Sequence, residues 1–215
     1  MNWISRLREP FNALSHALGV VLAFVALALL LTRTSPEVTG THVIAFSIFA
    51  IAQVLMFSAS TLYHSLPLSD NKLVVMRKID HIMIFVSIAG SYTPICLITL
   101  EGGWGYSLLV IVWSIAVAGL FVKIFWLHAP RKLYTAIYLS MGWLVIVAIY
   151  PLYQSLPGGA WLWLGLEALT YTIGAVIYAM KKPDPWAGKI GFHGIFHIFI
   201  LLGAFSHFML LYLFV

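Results

Sequence analysis

Charge is what this chain has least of. Asp, Glu, Lys and Arg make up 9% of its 215 residues, where an ordinary soluble domain carries about 25%. A water-facing surface cannot be built from so few ionic groups, which excludes a soluble globular protein. Cysteine is nearly absent too. Cys96 stands alone in an apolar stretch, so no intrachain disulfide forms. Linkers, low-complexity tracts and repeats are missing, and one domain over 1–215 is expected at this length.

What charge there is leans basic, with a net +5. No contiguous basic face accompanies it, so nucleic acid is not an expected partner. Basic residues in a membrane protein act as topology determinants instead. Arg6 and Arg8 before the apolar run Ala13–Leu31 mimic a signal peptide. That run exceeds the roughly 7–15 residues of a signal h-region, and Thr32-Arg33-Thr34-Ser35-Pro36 is no small-residue cleavage site. A retained first helix is expected.

The chain is instead rich in apolar residues, 62% of the total, with a mean hydropathy of +0.98. A spanning helix needs about 20 mostly apolar residues. Seven segments qualify: 12–32, 42–64, 80–99, 106–125, 133–152, 161–180 and 192–214. The fold class is therefore an all-α bundle of seven transmembrane helices. Breakers separate them at Ser35-Pro36, Pro67 to Asn71, Gly102-Gly103, Ala129-Pro130, Pro157-Gly158-Gly159 and Pro183 to Pro185. Connections this short make consecutive helices antiparallel neighbours.

Orientation follows from Lys and Arg. With seven spans, 11 of the 12 basic residues fall on the N-terminal side, and only Arg33 falls opposite. The positive-inside rule places the N-terminus in the cytoplasm and the C-terminus outside, as a multi-pass protein of the cell membrane. Trp3, Trp104, Trp126, Trp161 and Trp186 lie near helix ends, where indoles settle. Trp113 and Trp143 are mid-span and read as packing residues. Pro94 should kink the third helix, with Ser91 or Thr93 able to satisfy the freed backbone.

Polar groups inside a bilayer cost free energy unless paired, so each needs a reason. Ser60 and His64 lie near the end of helix 2, Asp80 at the start of helix 3, and His193 and His197 at the start of helix 7. Glu9, Asn12 and His16 open helix 1. With the topology above, all eight occupy one layer at the cytoplasmic side. His193 and His197 are spaced i, i+4 and project from one helical face, an arrangement that grips a metal with two ligands from one helix. Three histidines from two helices, with one position open, match a catalytic zinc site. Iron, copper and nickel also suit imidazole. Where H-E-x-x-H carries a glutamate base, this chain has Gly194, so Asp80 is the candidate base. Taken singly, each residue has a plainer explanation. His64 suits a hydrogen-bonding interfacial position and Ser60 a small packing position. Asp80 suits an ion pair with Arg77. Glu167 is expected to bond a neighbouring helix as a protonated carboxyl, near Tyr171. His207, about 15 Å along the helix from His197, is expected to make a helix contact rather than reach the same metal. His42 and His128 sit at membrane edges.

The pieces Glu9-Pro-Phe-Asn12-Ala-Leu-Ser15-His16, Ser60-Thr-Leu-Tyr-His64, Lys78-Ile-Asp80-His81 and His193-Gly-Ile-Phe-His197 occur in one order across the chain. In this the sequence resembles the hemolysin III family, the bacterial branch of the progestin and adipoQ receptor proteins. The resemblance implies a seven-helix bundle with zinc on its cytoplasmic side, held by His64, His193 and His197. It implies Asp80 holding water at the metal, with Ser60 nearby. The wider superfamily includes alkaline ceramidases, which hydrolyse a lipid amide. Three functions compete: a zinc-dependent hydrolase of lipid amides or esters, a non-catalytic regulator of membrane lipid composition with a structural zinc, and a cytolytic pore former. The last needs a water-soluble state that this composition does not supply. Membrane lipids are the expected partners, and the sequence leaves the oligomeric state open.

Overall fold

The computed structural model describes residues 6–32, 38–100, 102–126, 130–186 and 190–215. Among the described residues, seven helices are long and apolar enough to cross a membrane. They are α1 (Pro10–Leu31), α2 (Gly40–Ser65), α3 (Asp70–Thr99), α4 (Gly102–Phe125), α5 (Arg131–Ser155), α6 (Ala160–Met180) and α7 (Phe192–Phe214). No strand occurs among the described residues; there is one isolated bridge, Trp186 to Ile190. Trp3, Arg33, His128 and Lys189 lie outside the described residues.

Six of the helices agree with the apolar runs to within about a turn at both ends. Helix 3 does not. It begins at Asp70 rather than at 80, ten residues earlier, because the polar stretch Asp70–Lys78 is helical too. A hydropathy pattern sees only the apolar part of a helix. Asp70 in the first turn suits the positive end of the helix dipole. The correction matters for Asp80, which lies nearly three turns into α3 instead of at its start.

Helix α1 packs on α2, α2 on α3, α3 on α4 and α6 on α7, and α1 also packs on α7. Helix α5 packs chiefly on α6 and α3 and meets α4 through side chains, Lys123 against Tyr134 among them. The apolar core runs through Phe46, Phe49, Phe85, Val112, Leu152 and Leu210, all buried. Polar side chains join α2 to α3 inside it: Ser87 Oγ donates to Gln53 Oε1 and Gln53 Nε2 donates to Ser91 Oγ, both at 3.1 Å. Such bonds hold helices together where lipid offers no hydrophobic drive.

Two spans are irregular. After Pro94, α3 continues as a π-helical turn over Ile95–Thr99. Proline removes the N–H that the carbonyl of residue 90 would accept. The hydroxyls of Ser91 and Thr93 do not bind that carbonyl; they bind Ser87 O and Ala89 O one turn back. In α5, a 3-10 stretch Trp143–Ala148 separates two α-helical parts. Tyr92 serves this break: its hydroxyl donates to the Met141 and Gly142 carbonyls and accepts from Val145 N–H at 2.8 Å. Backbone groups at membrane depth must find partners inside the protein. Trp113 packs as expected, its Nε1 donating to Thr93. Trp143 does not: its indole is 44% exposed and bonds Thr172 of α6.

Candidate metal centre

The centre is built where the chain before α1 crosses the end of α2. The backbone N–H groups of Arg8 and Glu9 donate to the carbonyls of Ser65 and His64, and Arg8 Nη2 donates to Tyr63 O at 2.6 Å. These bonds satisfy C-terminal carbonyls of α2 that the helix leaves open. They also set Glu9 beside His64. On the other flank, α1 meets α7 closely because residue 194 is glycine. A Cβ there would lie 2.8 Å from Phe11 and 3.2 Å from Asn12 Oδ1. This explains why the histidine pair of α7 carries no glutamate between its members: the side chain has no room.

His64, His193 and His197 each offer a ring nitrogen, and these atoms lie within 4.8 Å of one another. His64 and His197 are 1% exposed. The ring orientations are fixed from behind. Glu9 Oε2 lies 2.7 Å from His64 Nδ1, and Asn12 Nδ2 donates to the same oxygen at 2.7 Å. Ser15 Oγ donates to Asn12 O and lies 3.2 Å from His197 Nδ1. With the serine proton so used, His197 Nδ1–H is the donor. Both rings therefore carry their proton on Nδ1 and turn a bare Nε2 toward the cluster.

This set fits a metal ion. His64 Nε2 and His193 Nε2 are 3.3 Å apart. Two nitrogens each 2.0–2.1 Å from a tetrahedral zinc lie about 3.3 Å apart by simple trigonometry. A carboxylate behind one ligand imidazole is a common outer partner of metal-bound histidine. Among the described residues, no other group of three such ligands comes together.

Glu9 precedes α1. Burial alone raises its carboxyl pKa, but the hydrogen bond and charge of His64, with Asn12 and Arg8, outweigh that and hold it down at about 2.

The histidines open onto a cavity of about 660 Å³ enclosed mainly by α3, α5, α6 and α7. Asp80 and Ser60, both buried, line it together with His64. No ion pair joins Asp80 to Arg77. The cavity continues past Ile88, Tyr92 and Leu164 to Leu152 and Leu156, so most of its wall is apolar. At its far end Glu167 Oε2 lies 2.9 Å from His207 Nδ1. Glu167 thus bonds a neighbouring helix, as expected, through His207. His16 stacks on His197 with ring centroids 3.6 Å apart, and both its nitrogens are buried without a partner. His42 caps α2 through Thr39.

Roles for Glu9, Asn12 and Ser15 are absent from the spacing argument, which named Glu9 and Asn12 without one. The available signal was their i, i+3 spacing, Glu9-Asn12-Ser15, which sets all three on one side of α1.

The comparisons with known proteins agree with this architecture. The chain is similar to the Hemolysin-3 homolog of Bacillus subtilis (strain 168), with 40% identity over 197 residues, 91% of this chain and 89% of that protein. It is 37% identical to Hemolysin-3 of Bacillus cereus over 198 residues, 91% of this chain and 86% of that one. The adiponectin receptor protein of Drosophila melanogaster is 28% identical over 231 residues, 93% of this chain but 49% of the receptor. The family described as Haemolysin-III related matches residues 4–208. Seven apolar spans and this match over nearly the whole length make the chain a multi-pass membrane protein of the haemolysin-III family.

Proposed function

We propose that the protein is a zinc-dependent hydrolase of acyl esters or amides in membrane lipids. One observation carries this reading: three histidine nitrogens converge at the polar end of a largely apolar cavity that also holds a carboxyl and a hydroxyl. His64, His193 and His197 would hold the ion, leaving one position of four open. Zinc, when bound, supplies Lewis acidity to a carbonyl and acidifies water.

The remaining work falls to this chain's own groups. Asp80 accepts a proton from the attacking water and returns it to the leaving oxygen or nitrogen. Water adds to the acyl carbon, the acyl–heteroatom bond breaks, and the products are a fatty acid and an alcohol or amine. Ser60 holds the Asp80 carboxyl or donates to the substrate carbonyl. The apolar wall takes the acyl chain and keeps bulk water away. Membrane lipid homeostasis is the setting that such a reaction fits.

A second reading is favoured by the helix arrangement. α1 packs on both α2 and α7, and the histidines link those two directly. A metal that only clamps them would serve a regulator of lipid composition without turnover. Asp80→Asn separates the two. It keeps size and one acceptor oxygen but removes the base. A hydrolase variant keeps its zinc and loses roughly 10²–10⁴-fold in turnover of acyl-amide and acyl-ester lipids. Retained zinc with unchanged function in the variant refutes the hydrolase.

A further inference from the structure

We propose that the cavity binds a phosphate-headed lipid, with its headgroup held by Arg77, Lys123 and Arg131. The inference rests on the reading that this cavity accommodates lipid, and it narrows the class of lipid.

Three cations from three helices line the cavity at its histidine end: Arg77 of α3, Lys123 of α4 and Arg131 of α5. The ion pairs among the described residues are Arg8–Glu9, His64–Glu9 and His207–Glu167. None involves these three. Of the carboxyls on the cavity wall, Glu9 is tied to His64, and Glu167 to His207 at the far end. Asp80 alone faces the three cations, and a metal ion would add further positive charge.

The groups are also held in place. Lys123 is 2% exposed; its Nζ donates to His81 Nδ1 at 2.9 Å and sits 3.2 Å from the Tyr134 ring centroid. His81 accepts through a neutral ring nitrogen, so it brings no countercharge. The Arg131 guanidinium lies 4.8 Å from the Tyr178 ring and 5.5 Å from that of Phe192. Its Nη1 is buried without a hydrogen-bond partner. A buried cation without a counter-ion is costly, and an anion beside Lys123 and the half-buried Arg77 and Arg131 offsets that cost. Guanidinium donors match phosphate oxygens in pairs, and a lysine adds a point charge. A phosphate here leaves an apolar cavity for acyl chains and sets the adjoining ester beside the histidines. Residues that serve only topology are exposed to water; Lys123 is buried.

The test is equilibrium binding of radiolabelled dodecyl phosphate to the full zinc-loaded chain in detergent. Wild type is expected to bind it at least about tenfold more tightly than dodecanol, the worth of one or two charge-assisted bonds. Arg77→Gln and Arg131→Gln should each lose about tenfold for the phosphate with dodecanol binding unchanged, which shows that the cavity still folds. Lys72→Gln, at an exposed position, should lose nothing. Three results overturn the proposal: dodecanol or dodecanoate binding as tightly as the phosphate, Lys72→Gln losing as much as Arg131→Gln, or inorganic phosphate displacing the ligand at equal concentration. The last would mean a free-anion site. Binding needs no turnover, so Asp80→Asn should bind dodecyl phosphate at least as well as wild type. The headgroup site and the hydrolase reading therefore fail separately.

Discussion

Replacing Glu9 by Gln tests whether the centre is organised from behind. The carboxylate takes two 2.7 Å contacts on one oxygen, from His64 Nδ1 and Asn12 Nδ2, while Arg8 lies 3.2 Å from the other. A glutamine carbonyl can still accept both bonds, but its NH₂ must then face the Arg8 guanidinium. A neutral acceptor is also about half as strong as an ionised one. His64 would then have a weaker and less firmly placed partner for its tautomer and ring angle. Removal of such an outer partner typically lowers metal affinity 10- to 100-fold, about 1.4–2.7 kcal/mol. The assay is zinc competition against a chelator of known affinity on purified protein, with thermal unfolding run in parallel. An affinity within twofold of wild type, in a variant that unfolds normally, would refute the argument that Glu9 orients the ligand.

Four further outcomes are expected. His197→Ala should lose most of its zinc by elemental analysis, because two histidines hold a catalytic-type site poorly. His207→Ala should keep its zinc but unfold more easily, by about 3 kcal/mol, since it strands Glu167 without its buried partner; equal stability would show that the pair is inert. Gly194→Ala should cost about 1–3 kcal/mol through the clash with Phe11, and Phe11→Leu should recover part of it in the same melt. A reporter active only outside the cytoplasm, fused after Val215, should be active; a silent, stably expressed fusion would overturn the orientation read from the basic residues.

The apolar runs made seven spans legible, because a lipid-facing helix must be apolar along its length. The same signal missed the first ten residues of α3, where helix continues in polar sequence. The pair His193 and His197 was legible because i, i+4 spacing is a local property. Their meeting with His64 depended on a topology argument and holds in the structure. The parts of Glu9 and Ser15 were not legible. They arise from α1 lying between α2 and α7, and no local spacing encodes that placement. The close packing that forbids a side chain at Gly194 was hidden for the same reason. The bond between Glu167 and His207 crosses 40 residues; cost alone says that each needs a partner, but not which one.

That arrangement also fixes an order of assembly. Helices enter a membrane from the N-terminus onward. The bonds from Arg8 and Glu9 to the end of α2 and the contact of Glu9 with His64 need only the first two spans. Half of the cage can therefore exist early in synthesis. Its other half, Ser15 with His197, and His193 beside His64, waits for α7, made five spans later. A nascent chain holds a single one of the three histidines until α7 arrives. An ion held by all three histidines would therefore be loaded only once α7 is in place beside α1 and α2.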